Sequence, residues 1–325
     1  MRPALGCLGR PCAGGYATRT STILIRRKGH YSMEVASKPQ RGLPTRRRFL
    51  RRAFQFAAGG ATTAGLAAAY GLWEAARIQI RRTAISVPHL PAGFVGKTVA
   101  VLADFHHGPY VSIGFIREAV RLANSLAPDA FALVGDFAHK GTHAAEQLPP
   151  CLEALELLRA PLGVYAVPGN HDMQQAGRVY RDSIGATSLC DLTNRSVRLT
   201  SAGAHLWLAG VDDLWWGKPD LEAALRGVPE GSAVVLLSHN PDFVEEHPDV
   251  RVGLVLSGHT HGGQMVLPLL GSMWLPSRYG DKYRCGLVQG PSSQVFVSCG
   301  IGTAGLPFRI NCPPEINLLT LIASA

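Results

Sequence analysis

Ser257-Gly258-His259-Thr260-His261-Gly262-Gly263-Gln264 is the stretch that decides how this chain is read. Two imidazoles stand one residue apart between glycines. They follow an apolar run, Val252 to Leu256, that predicts a buried strand. Glycines where a strand ends let the loop turn sharply and hold both rings over one point. Two neutral imidazoles on one loop suit a divalent transition metal. Alone, a His-x-His pair is weak evidence, because surface and core histidines also produce it. The other strand ends have to supply further donors.

They do. Thr98–Ala103, Ala130–Val134 and Gly163–Val167 predict buried strands, and Ala233–Leu237 predicts another. The first runs into Asp104-Phe105-His106-His107, the second into Gly135-Asp136, the third into Gly169-Asn170-His171-Asp172. Ala233–Leu237 runs into Ser238-His239-Asn240. In open α/β sheets, sites form at the carboxyl ends of strands. Each residue has an ordinary reading by itself. Asp104 could cap a helix, Asp136 could be a turn acid, Asn170-His171-Asp172 could be a helix entry, and His239 could be a satisfied core histidine. Five strand ends carrying such residues together point instead to one site. Oxygen and nitrogen donors without sulfur suit Mn, Fe or Zn. So many donors exceed one closed four-coordinate zinc and fit two adjacent metals sharing a carboxylate. Such a pair polarises a phosphoryl group and deprotonates a shared water for in-line attack, so the chemistry expected is hydrolysis of a phosphate ester.

Helical spacing is predicted over Ile113–Leu126, over Ala144–Leu158 with an interruption near Pro149-Pro150, and over Gln174–Ser183. Strand–helix alternation in this half implies parallel pairing. An edge strand is expected at about 77–87, ended by Pro88 and Pro91. The second half is strand-rich, with candidates at Ser196–Leu199, His205–Ala209, Met265–Leu267, Val295–Val297 and Ile316–Leu321 and a helix at Asp220–Leu225. The expected fold is α/β: two packed mixed β-sheets flanked by helices. No linker divides the chain after residue 95, so 75–325 is read as one catalytic domain.

The net charge of +9 over 325 residues misleads. Residues 1–52 carry a net +12 and the remainder a net −3, so nucleic-acid binding is not expected of the folded body. Cys151, Cys190, Cys285, Cys299 and Cys312 show no metal-type spacing and read as small buried hydrophobes, with one disulfide open in an oxidising compartment. Residues 1–44 are read as a disordered extension, with Met33 as an alternative start. Thr45-Arg46-Arg47-Arg48-Phe49-Leu50-Arg51 resembles a twin-arginine export signal. An uncharged but only mildly apolar stretch follows from Ala53 to Trp73. Residues 45–74 are therefore read as a signal or membrane anchor, cleaved near Ala67-Ala68-Ala69 or retained. The implied partners are the twin-arginine translocase and a membrane. The implied location is the periplasm or the outer face of the cytoplasmic membrane.

Asp104-x-His106, Gly135-Asp136, Gly169-Asn170-His171-Asp172, His239 and Gly258-His259-x-His261 together resemble the calcineurin-like metallophosphoesterases. Gly210 to Trp215, Ser238 to Asp242, Ser257 to Gln264 and Cys312 to Ile316 resemble the YkuE/YaeI-like branch, so the likeness covers about residues 76–322. Phe105 and Ala103 depart from that pattern and are not ligand types. The resemblance implies a four-layer metallophosphoesterase sandwich. It implies that Asp104, His106, Asp136 and His261 hold one metal, and that Asp136, Asn170, His239 and His259 hold the second. His171 would sit beside the substrate and protonate the leaving oxygen or steady the phosphoryl group. Two divalent ions are expected, Mn favoured over Zn or Fe, with a phosphodiester or pyrophosphate of a cell-envelope or lipid-linked molecule as substrate. A UDP-2,3-diacylglucosamine pyrophosphatase and a non-catalytic metal-binding envelope protein are the alternatives.

Secondary candidates are Asp172, orienting His171 or serving as a helix N-terminal acid, and Arg309, meeting a substrate phosphate or forming an ion pair. Trp215-Trp216 could contact a lipid or sugar or pack at the rim. His107, His139 and His143 are expected to be solvent-exposed.

Overall fold

The computed structural model describes residues 45–324. The readings placed on 1–44 lie outside the described residues. Helix α1 (Arg46–Ala75) comes first. Two compact units divide at Phe56/Ala57, within α1, and the fold below concerns the second. Among the described residues no helix is long and apolar enough to cross a membrane.

Elements follow in the order β1 (Gln79–Val87), β2 (Thr98–Leu102), α2 (Ile113–Ser125), β3 (Ala130–Val134), α3 (Ala144–Leu155), β4 (Val164–Val167), α4 (Asn170–Ile184) and β5 (Cys190–Asp191). Next come β6 (Arg195–Ser201), β7 (Ala204–Gly210), α5 (Leu221–Ala224), β8 (Val234–Leu237), α6 (Phe243–Glu246), β9 (Leu254–Ser257), β10 (Val266–Leu267) and β11 (Gly271–Ser272). The chain closes with β12 (Gly286–Gln289), β13 (Gln294–Val297) and β14 (Glu315–Ala323).

One sheet runs β1-β14-β2-β3-β4-β5 and the other β12-β13-β9-β8-β7-β6. Both are mixed. β2, β3, β4 and β5 pair in parallel, while β14 crosses antiparallel onto β2. β7, β8, β9 and β13 are parallel, with β6 and β12 antiparallel at the edges. The sheets face each other across Val101, Ala103, Val134, Val167, Leu208, Val235, Leu237, Leu256 and Phe296. The outer face of the first sheet is covered by α2, α3 and α4 through Ile116, Val120, Leu148, Leu152, Tyr180 and Ile184. α5 and α6 help cover the outer face of the second, with Ala224, Phe243 and Val244 against Val234 and Val255. β2, β3 and β4 are buried on both faces, which is why they read as unbroken apolar runs.

Two expectations are corrected. α3 continues through Pro149 and Pro150. Leu148, Cys151, Leu152 and Leu155 form a fully buried stripe around them, so packing outweighs the hydrogen bonds that the prolines remove. α4 starts at Asn170, not Gln174, so the third strand-end motif is the helix's first turn. The short strands β5, β11 and β12 carry no apolar run long enough to announce them.

Candidate functional site

Parallel strands put the ends of β2, β3 and β4 at one edge of the first sheet, and β8 and β9 do the same in the second. Asp104, His106, Asp136, Asn170, His239, His259 and His261 are all buried there. Backbone bonds lace the loops together: Asp104 N–H donates to the Gly135 carbonyl at 3.0 Å, His106 N–H to Asp136 at 2.9 Å, and Gly258 N–H to His239 at 3.0 Å. Close approach explains two glycines. A Cβ on Gly169 would strike Asp136 Oδ1, and one on Gly258 would lie 2.6 Å from Asp104 Oδ2.

Two donor groups result, each with ligand atoms within 4.8 Å of one another: Asp104, His106 and His261, and Asp136, His239 and His259. His106 Nε2 and His261 Nε2 face each other at 2.8 Å, with Asp104 Oδ1 3.5 Å from His261 Nε2. Asp136 joins the groups. Its Oδ1 accepts the His171 N–H at 2.8 Å. Its Oδ2 is left facing His239 Nε2 at 3.3 Å, His106 Nε2 at 3.5 Å and His171 Nε2 at 4.0 Å. Asn170 Oδ1 lies 3.2 Å from His239 Nε2. The His239 Nδ1–H donates to the Val134 carbonyl at 2.7 Å, which aims Nε2 at the cluster.

Backbone conformation sets the site apart. Asp104, His106, Asp136, His259 and His261 all have positive φ, between 47° and 72°. Non-glycine residues held there cost roughly 1–3 kcal/mol each and cluster at functional sites.

Electrostatics follow from burial. Burial, then neighbouring His171, holds His106 well below the usual imidazole range. Burial and His239 bring His259 down to about 3, and burial and Arg309 lower His261, so these rings are neutral. His239 behaves oppositely. Burial disfavours its charge, yet Asp136 raises it to about 10. Against its own burial, Asp136 is held well below the usual carboxylate range by His239 and His171. Burial, opposed mainly by His239, lifts Asp104 to about 7.

The donor set fits divalent metal ions. His259 Nε2 is buried without a partner, the Nε2 atoms of His106 and His261 converge to 2.8 Å, and Asp136 Oδ2 stands between both groups. Neutral imidazoles and carboxylates without thiolates match Mn, Fe or Zn.

The secondary candidates fall differently. The Asp172 carboxylate makes no hydrogen bond to the His171 ring among the described residues and serves instead as the acid in the first turn of α4. Its carboxylate accepts from Gly169 N–H at 2.9 Å, Phe137 N–H at 2.9 Å and Ala138 N–H at 3.2 Å, clasping the β3 loop to the start of α4. Arg309 is fully buried and, among the described residues, makes no ion pair; its Nη2 lies 3.4 Å from His261 Nδ1. Its guanidinium donates to the carbonyls of Cys299 at 2.9 Å, Cys312 at 3.0 Å and Gly302, beneath His261. His143 is exposed as expected. His139 is half-buried instead, and its ring joins His106 and His171 in a third group of donors. The bridge pairing Ala138 with His107 draws it in, and no apolar pattern signals that contact. Trp215 is 41% exposed, its ring edge-on to His259 at 4.4 Å. Asp213, inside the Gly210–Trp215 stretch, has no role assigned from sequence. It is buried, accepts the Trp215 N–H at 2.9 Å, and leaves Oδ1 unpartnered.

Residues 97–263 match the family model for calcineurin-like phosphoesterases. Metallophosphoesterase YkuE of Bacillus subtilis is 33% identical over 281 residues, which is 85% of this chain and 97% of YkuE. Phosphodiesterase YaeI of Escherichia coli is 29% identical over 235 residues, 69% of this chain and 82% of YaeI. Among solved structures, a dimetal phosphatase from Danio rerio aligns with a TM-score of 0.38 at 12% identity, over 64% of this chain and 88% of that one. The chain belongs to the calcineurin-like phosphoesterase family. It is a metal-dependent phosphoester hydrolase.

Proposed function

We propose that this chain is an exported dinuclear-metal phosphoesterase that cleaves phosphodiester or pyrophosphate bonds of a cell-envelope or lipid-linked substrate. The carrying observation is Asp136 Oδ2, which faces donors of both groups at once. Asp104, His106, Asp136 and His261 would hold one ion, and Asp136, Asn170, His239 and His259 the other. When bound, the ions would polarise the phosphoryl group and make water a competent nucleophile at neutral pH.

The chain's own residues do the rest. His171 is almost buried, with 11% of its side chain exposed, and Nε2 points at the cluster. Its Nδ1 accepts the Lys140 N–H at 3.1 Å, so in the neutral ring the proton sits on Nε2. That N–H donates to a phosphoryl oxygen or to the departing oxygen. Asp136 Oδ1 holds the His171 backbone, fixing the donor relative to the shared carboxylate. The Thr45–Arg51 motif supports export in the folded state. Metal would then be acquired before translocation, where availability favours Mn over tighter-binding Zn.

Asp136→Asn and His239→Ala should each lower Mn-dependent hydrolysis of bis(p-nitrophenyl) phosphate by about a hundred-fold or more. Wild-type rates in either variant would remove the site assignment. Arg46→Lys with Arg47→Lys should retain the protein inside the cell, and undiminished export would refute the signal. Elemental analysis of protein from its native envelope should find Mn; zinc alone would count against that metal.

A further inference from the structure

The strand-poor segment after the His259–His261 loop carries side chains that the fold does not use. β10 and β11 form a hairpin, Val266 opposite Ser272 and Leu267 opposite Gly271. At its tip Leu269 is fully exposed and Leu270 is 76% exposed; Met273 and Trp274 beyond it are more than half exposed. Leu269 also sits at φ 68°, a conformation a bulky residue rarely adopts. Neither packing nor backbone preference accounts for placing it there.

The hairpin continues into a larger apolar face. Val266 N–H donates to the Ile310 carbonyl at 2.8 Å, and Asn311 Nδ2 to the Val266 carbonyl at 2.8 Å. Arg309 N–H in turn donates to the Gly71 carbonyl at 3.1 Å, and Asn311 N–H to Glu74 Oε2 at 2.8 Å. So the hairpin, the 308–311 segment and the end of α1 are one bonded unit. From Ala57 to Trp73, α1 has no charged side chain and is nearly all exposed, Leu66, Leu72 and Trp73 included. Soluble monomers rarely leave so much contiguous apolar surface uncovered.

Chemistry at the rim names the occupant. The Arg77 guanidinium lies 4.3 Å from the centre of the Trp73 ring, and Arg77, Arg81 and Arg82 are exposed where α1 gives way to β1. Tryptophan and arginine at the border of an apolar face suit the headgroup level of an anionic bilayer. A leucine pair that protrudes, with no surrounding pocket, fits fluid hydrocarbon rather than the shaped surface of a protein.

The hairpin also reaches the site. Gly263 of the metal-type loop packs against Ser272 and Leu275, so close that a Cβ there would lie 3.3 Å from Leu275 Cδ1. Trp215, partly exposed, stands edge-on to His259 of the same loop, and Trp216 next to it is exposed.

We propose that the β10–β11 hairpin with Met273 and Trp274 is a lipid-inserting lip. Together with the exposed face of α1 it seats the domain on an anionic membrane and presents the site to a phosphate ester carried by a membrane lipid. Membrane contact is independent of the hydrolytic reading above; the choice of a lipid phosphate rests on it.

The test uses the full chain loaded with Mn and vesicles of phosphatidylcholine with one quarter phosphatidylglycerol. The wild type should sediment with them, and Leu269→Glu with Leu270→Glu should lower the partition coefficient by about ten-fold or more, since two apolar side chains leave the hydrocarbon. Tryptophan emission should be quenched by lipids brominated on the acyl chain, and Trp274→Phe should lose part of that quenching. Hydrolysis of soluble bis(p-nitrophenyl) phosphate reports on the site separately, so a dead site and an absent lip are told apart. Equal sedimentation of wild type and double variant, quenching indifferent to Trp274, or no vesicle binding by the wild type overturns the lip. Equal binding to phosphatidylcholine alone overturns the anionic assignment.

Discussion

Asp136 Oδ2 and His239 Nε2 stand 3.3 Å apart, one at the end of β3 and the other at the end of β8, so this contact is one of those that tie the two sheets together. Neither side chain has this partner inside its own sheet. The interface between the sheets is therefore also the centre of the site, and changes in sheet packing are felt there first.

That contact predicts how the protein takes up metal. Despite burial, Asp136 raises His239 to about 10, so the metal-free protein keeps the proton at neutral pH. A raised value means the proton is lost only as pH climbs toward 10, and below that a metal must displace it. Apparent Mn affinity should rise about ten-fold per pH unit between pH 8 and 9, above the value near 7 to which Asp104 is lifted, with about one proton released per protein, measured by calorimetry in buffers of different ionisation enthalpy. Affinity independent of pH would contradict the pair.

Asp172 predicts a loss of position rather than of chemistry. Its three backbone donors come from the β3 loop and the entry to α4. Asp172→Asn turns an amide toward one of them and should cost about 1–3 kcal/mol of stability. Activity should fall with kcat more affected than metal content, read by steady-state kinetics beside elemental analysis. If activity and melting temperature both stay at the wild-type level, the clasp has no role.

His139 shares a donor group with His106 and His171, and its Nδ1 is buried without a partner. His139→Ala should keep both metals yet lower kcat/KM on phosphodiesters by about ten-fold, the scale of one lost hydrogen bond to substrate. Unchanged kcat/KM would return His139 to the surface role expected from sequence.

Arg309 predicts a structural phenotype. Removing its guanidinium strands the carbonyls of Cys299, Gly302 and Cys312 under His261. Arg309→Ala should lower the melting temperature by about 10 °C, in keeping with roughly 3–5 kcal/mol for a buried charged group. Arg309→Lys should recover only part of it, because an ammonium cannot fork to several carbonyls. A change in KM alone, with stability intact, would restore the substrate role.

The fold was legible where burial is two-sided. β2, β3, β4, β8 and β9 are unbroken apolar runs because neither face meets water. β5, β11 and β12 were not, since β5 and β11 are two residues each and β12 is half exposed, so only pairing with a neighbour defines them. At the site, each residue taken as a metal ligand follows a strand closely enough for position in the chain to indicate position in space. The buried settings of His139 and Asp213 are hidden from sequence for the opposite reason. Their places come from loops crossing between elements, one by the bridge to His107 and one by the turn it makes under Trp215 and Trp216. The setting of Arg309 is not legible in sequence, because most of its partners are backbone carbonyls that no sequence displays.

The left-handed backbone at Asp104, His106, Asp136, His259 and His261 bears on how the loops meet whatever they bind. Glycine at any of these positions would relieve the backbone, but it would also empty a buried side-chain site, and at Asp136 it would remove the acceptor of the His171 N–H. The strain is therefore held in place by the same side chains that supply the donors. The loops are cocked in advance, so an arriving ion would meet a finished mould and would not have to bend the chain around itself.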